Sequence, residues 1–258
     1  MSLDIATQVK SLLKTSLLGR ELHYYPRLST TMDTARELAR KGAEEGTVIM
    51  AGTQTAGKGR IGRSWFSPEG SLAMSVILKP PLKNLPQLIM IASLAVVSAI
   101  RTVSGLDAAI KWPNDVMIKG RKVCGILIEN EVEEGKVNYA DIGIGINANF
   151  EPADHPEIAD ISTGLSHESG RQISVVQLAA AVIDELERLY IAARNGDPVH
   201  RDWRRHMETL GKRIKVDTGQ SIEHGIAESV NENGNLILRR DDGSPVEIVV
   251  GDVSLIKE

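Results

Sequence analysis

The stretch Thr47-Val-Ile-Met-Ala-Gly-Thr-Gln-Thr-Ala-Gly-Lys-Gly-Arg-Ile-Gly-Arg-Ser-Trp65 joins an apolar run to a loop with three glycines and three cations. The apolar part, Thr47–Thr53, reads as a buried strand. Ser71–Lys79 follows the loop with Leu72, Met74, Val76 and Leu78 on alternate positions, which predicts a second strand. The loop between them has the makings of an anion cradle. Glycines let the backbone approach a ligand and turn N–H groups toward it, and Lys58, Arg60 and Arg63 add positive charge. The loop is not a Walker A motif, because no Gly-Lys-Ser/Thr stands at the required spacing, and it lacks the strand–GxGxxG–helix–acid order of a dinucleotide fold. A solvated basic turn is the competing reading, and local composition does not separate the two.

Outward from this stretch, Glu21–Leu28 reads as a strand and Asp33–Lys41 as a helix closed by Gly42, with a short helical lead-in over residues 1–20. Pro80-Pro81 ends the second strand, and Leu88–Val103 is a long apolar helix ending at Gly105. Ala108–Trp112, Val123–Glu129 and Val137–Asn147 are strand-like, and Val116–Ile118, Lys119-Gly120 and Lys122–Leu127 read as a hairpin. Residues 151–172, rich in Pro, Asp, Ser and Gly, are expected to form a surface loop, and Val175–Ala193 and Val199–Leu210 to form helices. Beyond Gly211 come short β runs (Arg213–Asp217, Gly225–Val230, Leu236–Arg239, Val246–Val250) with Asn233-Gly234 and Asp242-Gly243 turns. The order predicts an α+β fold with a mixed, largely antiparallel sheet and helices over residues 1–210. A small C-terminal β-barrel is expected over 211–258.

The 258 residues are 42% hydrophobic, 25% charged and only 3% aromatic, so aliphatic side chains must fill the core. A net charge of −4 argues against a surface built wholly for nucleic acid. The single cysteine, Cys124, excludes an internal disulfide and reads as a small buried hydrophobe. The N-terminus lacks the apolar run of a signal peptide, and the Leu88–Ile100 stretch is too short to span a bilayer. The expectation is a cytoplasmic protein with no membrane partner.

Three later segments carry polar chemistry. Lys111-Trp-Pro-Asn-Asp115 places a cation, an amide and a carboxylate together, suited to phosphate and Mg²⁺, although an Asn-Asp turn after proline is the commoner meaning of such a string. Lys122 opens the apolar strand Val123–Glu129, and a plain hairpin would look the same. In Ile142-Gly-Ile-Gly-Ile-Asn147, glycine at every second position leaves one face of a strand bare, against a ligand or against a packed helix.

Taken in order, QTAGKGRIGRSW, KWPND, KVCGILIE and GIGINAN resemble the catalytic domain of biotin–protein ligases, from about Glu21 to Leu210, and the C-terminal β segment, an SH3-like barrel in that family, also fits. The resemblance implies formation of biotinyl-5′-adenylate from biotin and ATP with Mg²⁺. It then implies transfer of biotin to one lysine of a biotin carboxyl carrier protein or domain of a biotin-dependent carboxylase. It assigns Thr30, Thr31 and Gln54 to the biotin ureido ring, and Gly57, Lys58, Gly59 and Arg60 to the carboxylate and the adenylate phosphate. Arg63 would join the nucleotide site and Trp65 would wall it. Lys111 would face the ATP phosphates, with Asn114 and Asp115 organising the nucleotide and Mg²⁺. Lys122 would meet the reacting groups, making Lys122, Arg60 and Lys111 the catalytic set. Gly125, Ile126, Leu127 and Gly143 would form the apolar pocket, and Asn147 would lie near the adenine.

The sequence departs from the family pattern in places. Lys58 stands where many members have Arg and lacks the bidentate fork, and Ile61 replaces a second basic residue. Met32 stands for Asn, Thr30 for Ser and Cys124 for Ala. Some members carry an N-terminal winged helix-turn-helix; residues 1–20 are too few for that module, so the expectation is a ligase without DNA binding. In some members, homodimers form through sheet edges. A lipoate or octanoate ligase is the competing enzyme, against which KWPND and GKGRIGRSW argue. A non-catalytic biotin sensor is the competing non-enzyme.

Overall fold

A computed structural model describes residues 4–256. In chain order the elements are α1 (Ile5–Leu12), β1 (Leu22–Leu28), α2 (Thr31–Arg40), β2 (Val48–Gln54), β3 (Leu72–Leu78) and α3 (Leu88–Ser104). Then come β4 (Ala109–Lys111), β5 (Asp115–Ile118), β6 (Arg121–Glu133), β7 (Lys136–Ile146), α4 (Leu165–Ser169), α5 (Val175–Arg194) and α6 (Val199–Arg205). The C-terminal strands are β8 (Arg213–Asp217), β9 (Ile222–Val230), β10 (Leu236–Arg239), β11 (Pro245–Ile248) and β12 (Asp252–Leu255).

Seven strands form one sheet in the order β1-β2-β3-β7-β6-β5-β4. The β1–β2 pair is parallel, as expected for strands joined through helix α2, and the remaining pairs are antiparallel. One face of the sheet, with Leu72, Met74, Val76, Ile142, Ile144 and Ile146, packs against α3 and α5 in the main core. The opposite face is crossed by α2 over β2, β3 and β7, where Ala35, Ile49, Ile77 and Tyr139 make a smaller core. Strand β3 is therefore buried along its whole length, not on alternate residues only.

Local chemistry explains the helix ends. Thr30 caps α2, its hydroxyl accepting from the Met32 N–H at 3.4 Å, with Asp33 in the first turn and Arg40 in the last. Gly105, at φ +77°, ends α3 by donating its N–H to the Arg101 carbonyl. Leu82–Ser104 form 23 continuous helical residues, within which an 18-residue window reaches a mean hydropathy of 1.7; contrary to the expectation this is enough by length and composition to cross a membrane, but the window is mostly buried inside the protein. The lead-in is tied down by Glu187 of α5, whose buried carboxylate accepts from the N–H groups of Ser16, Leu17 and Leu18 at 2.6–2.8 Å.

Several expectations need correction. Residues 151–172 are not simply a surface loop. The chain turns inward, Lys122 N–H donates to Ile161 and Thr163 N–H to Lys122 (both 2.9 Å), and Thr163 and Leu165 are fully buried. Glu168 of α4 holds Lys119 at 2.9 Å, Arg121 at 2.6 Å and the Thr163 hydroxyl at 2.7 Å. Burial alone would raise the Glu168 carboxyl, but its bonds to Lys119 and Thr163 outweigh that and hold it below the ordinary range. Polar residues that resemble loop filler are spent on fixed partners. Helix α6 is also shorter than expected. Past Arg205 the backbone bonds β4 instead, His206 accepting from Ile110 N–H and Glu208 donating back to Ile110.

The C-terminal strands form a second, antiparallel sheet in the order β11-β10-β9-β8-β12. The order is linear, and among the described residues no ladder closes it into the expected barrel. Strand β12 went unforeseen, since four residues with weak alternation gain their identity from pairing with β8. Trp112 ties this sheet to the larger one, its indole N–H donating to the Gly234 carbonyl at 2.9 Å.

Candidate active site

The bare strand positions predicted from the Gly-Ile alternation lie on the α2 side of the sheet. Gly125 on β6 pairs with Gly145 on β7, and Leu127 pairs with Gly143. A methyl group at Gly145 would come within 2.4 Å of the Trp65 indole, and one at Gly143 within 2.7 Å of the Met32 sulfur. The two side chains thus rest directly on backbone. Only glycine permits that approach.

A cleft opens over this floor. It is lined at one end by Thr30, Thr31, Met32 and Gln54, along its floor by Gly125, Ile126, Leu127 and Gly143, and at the other end by Arg60, Asn114, Asp115 and Lys122. Lys58, Gly59, Arg63, Trp65 and Asp252 complete the rim. At the first end, Gln54 Oε1 accepts from the Thr31 N–H at 2.8 Å and the Thr31 hydroxyl at 3.3 Å, and the Ser75 hydroxyl donates to Thr31 Oγ1 at 3.0 Å. With its oxygen so engaged, the Gln54 amide keeps its N–H₂ free to donate.

The other end is cationic. Lys122 Nζ lies 2.6 Å from Asp115 and 5.4 Å above the Trp65 ring. Arg60 donates to Asn114 Oδ1 at 3.0 Å and to the Gly251 carbonyl at 3.2 Å. Asn114 is itself fixed by donating to the Ile126 carbonyl at 2.8 Å. Burial pulls the Arg60 guanidinium below the usual arginine range, Asp115 opposing and Arg63 adding to the effect. Lys58 pairs with Asp33 at 2.5 Å, and Arg63 pairs with Asp252 from the second sheet. The glycine-rich loop is folded as a hairpin. Gly59 N–H donates to the Arg63 carbonyl at 2.7 Å and Trp65 N–H to that of Gly57 at 2.8 Å. The Trp65 indole N–H, buried, has no partner among the described residues.

Three sequence-selected residues stand apart. Gly57 lies on the outer side of the loop, its backbone pressed against Trp65. Lys111 pairs with Asp115, and so shares the site face of the sheet, one strand beyond the cleft lining. Asn147 is buried and donates to the Thr163 carbonyl at 3.1 Å, packing the inward-turned segment. Cys124 lies in the core, where burial pushes its thiol far up. Among the described residues no group of three or more His, Cys, Asp or Glu could hold a metal ion. Sequence reading missed Ser75 and Asp252. Nothing local marks a serine within an apolar strand or an aspartate 189 residues from its arginine.

The chain resembles known proteins over most of its length. Residues 24–147 match the model of the biotin/lipoate A/B protein ligase family, and residues 209–256 match that of the biotin protein ligase C terminal domain. The chain is 38% identical over 244 residues to the bifunctional ligase/repressor BirA of Bacillus subtilis, covering 92% of this chain and 75% of that one. It is 32% identical to the biotin–[acetyl-CoA-carboxylase] ligase of Paracoccus denitrificans, covering 85% of this chain and 95% of that protein. Among solved structures, the biotin protein ligase of Aquifex aeolicus in complex with biotin and ATP superposes with a TM-score of 0.80 at 27% identity, covering 93% of this chain and all of that one.

Proposed function

Because the chain belongs to the biotin protein ligase family, we propose that its cleft binds biotin with its ring at Thr31 and Gln54 and its carboxylate at Lys122, beside ATP held by Arg60, Lys58 and Arg63. It is a ligase that activates biotin with ATP and transfers it to a protein lysine. The observation that carries the assignment of sites is one continuous cleft with a hydrogen-bonding end, a glycine floor and a cationic end, in the order a ring, an aliphatic chain and an acyl phosphate require.

The residues account for the chemistry. In the first step a biotin carboxylate oxygen attacks the α-phosphorus of ATP, and the bond to pyrophosphate breaks. Charge develops on the α-phosphate, where Lys122 and Arg60 stabilise it, Arg60 more strongly for being partly removed from water. Lys58, Arg63 and Lys122 are each held by an aspartate, so an incoming phosphate exchanges one anionic partner for another at preformed cations. Asp115 at the cationic end and Asp252 at the rim are single carboxylates, each already paired with a cation. That fits a Mg²⁺ carried in on ATP phosphates better than a dedicated metal cage. Such an ion would neutralise phosphate charge. In the second step a neutral lysine amine attacks the acyl carbon, and AMP leaves.

The acceptor lysine belongs to a biotin carboxyl carrier domain of a carboxylase in the cytoplasm, residues 1–210 form the catalytic unit, and 211–258 form a unit that closes the cleft through Asp252. Purified protein incubated with ATP and biotin is expected to release pyrophosphate and to label an added carrier domain. Pyrophosphate release with lipoate but not biotin would overturn the substrate assignment.

A further inference from the structure

Asp141 lies on β7 two residues before Gly143 and thus on the site face of the sheet. Its side chain is buried at 1% exposure, and neither carboxyl oxygen has a hydrogen-bond partner among the described residues. Directly across the strands stand Ile77 of β3 and Glu129 of β6, and Ser75 is the diagonal neighbour on the same face. The charged groups around it are committed elsewhere. Arg36 of α2 bonds Glu129 at 2.7 Å and Asp33 at 3.0 Å, and Lys58 of the loop bonds Asp33. Tyr139 of β7 shares the face, packed in the smaller core.

An ionised carboxylate in this position would lose its solvation with no cation in contact. Burial accordingly raises the Asp141 carboxyl well above its ordinary range, Ser75 opposing and Glu129 adding to the rise. The protonation state sets the direction of its neighbours' hydrogens. Ser75 donates to Thr31, whose hydroxyl donates to Gln54; a neutral Asp141 acid turned toward its diagonal neighbour Ser75 would donate to it and leave the Ser75 hydrogen on Thr31. A carboxylate only accepts, and would draw the Ser75 hydrogen away from Thr31.

We propose that Asp141 is a positioning residue for biotin, its buried carboxyl orienting the hydroxyl relay Ser75–Thr31–Gln54 so that the Gln54 amide presents its N–H₂ to the ring carbonyl of the ligand. The inference rests on the reading that the Gln54 end takes the biotin ring. Asp141 touches no substrate, and the cleft lining does not include it.

The test is the KM for biotin and for ATP in biotin-dependent pyrophosphate release, measured for the whole chain across the pH range in which the protein stays folded. In the parent protein the KM for biotin is expected to climb with pH while kcat and the KM for ATP follow a common profile. Asp141→Asn, neutral and still a donor, is expected to keep the low KM and to lose the pH-dependent climb. Asp141→Leu is expected to raise the KM for biotin about tenfold at unchanged kcat, the effect of one lost hydrogen bond of about 1.4 kcal/mol. A flat KM in the parent, identical profiles for parent and Asp141→Asn, or a normal KM in Asp141→Leu would overturn the inference. A parent protein that releases no pyrophosphate with biotin would sink the underlying substrate assignment instead.

Discussion

Strand β7 has two faces that differ at every second residue. Ile142, Ile144 and Ile146 point into the main core and are at most 2% exposed, whereas Gly143 and Gly145 on the other side carry no side chain and support Met32 and Trp65. The first face is filled by what the strand brings. The second is shaped by what it leaves out. Material removed from the isoleucine face should cost stability, and material added to the glycine face should cost activity.

The largest effect expected belongs to neither face but to the lysine at the cleft's cationic end. Lys122→Ala is expected to slow pyrophosphate release by about 10²–10³-fold, the loss typical of one transition-state donor, with little change in thermal midpoint since the side chain is part-exposed. Near-normal turnover would remove Lys122 from the reaction. On the isoleucine face, Ile144→Ala should lower unfolding free energy by about 2–5 kcal/mol while leaving kcat intact below the melting range. Urea titration together with steady-state kinetics separates the two. On the glycine face, Gly145→Ala should do the reverse. The new methyl collides with the Trp65 indole, and the KM for biotin or ATP should rise about tenfold, roughly 1.4 kcal/mol, at nearly unchanged stability. If both substitutions lowered stability alike, the division of labour between the faces would fail.

The smallest effect concerns the link between the sheets. Asp252→Asn removes the charge facing Arg63 at an exposed rim, where a pair of this kind is worth about 0.2–1 kcal/mol. Stability should barely move, but the loop should open more often, and dissociation of the pre-formed adenylate should speed up a few-fold. Arg60→Gly, which cuts both the Asn114 and Gly251 contacts, should speed it further. Dissociation at the parent rate in both variants would argue against the Arg63–Asp252 and Arg60 contacts as what holds the cleft closed.

Much of the fold was legible because its signals are local. Strand β3 follows from its alternating apolar positions, α3 from its long, mostly aliphatic stretch ending in glycine, and the β5–β6 hairpin from Lys119-Gly120, both of which take positive φ. Most cleft residues were legible too, since the loop, the Asn-Asp pair and the Gly-Ile alternation are short strings with unusual composition. Other features depended on distant partners. The inward turn at Thr163 exists because Glu168 collects Lys119 and Arg121, and α6 stops early because β4 offers its backbone a better partner. Trp112, which looked like part of a chemical motif, spends its indole on Gly234.

The amino-acid sequence by itself determined where backbone could lie bare, where cations would cluster and which runs had to be buried, since each depends on residue type and period. Tertiary structure alone decided which of those features meet. It set Trp65 on Gly145, brought Asp252 to Arg63, and left Asp141 without a partner behind Ser75. Such encounters depend on strand order and register, and a register shift of one residue would exchange the two faces of β7 and dismantle the cleft.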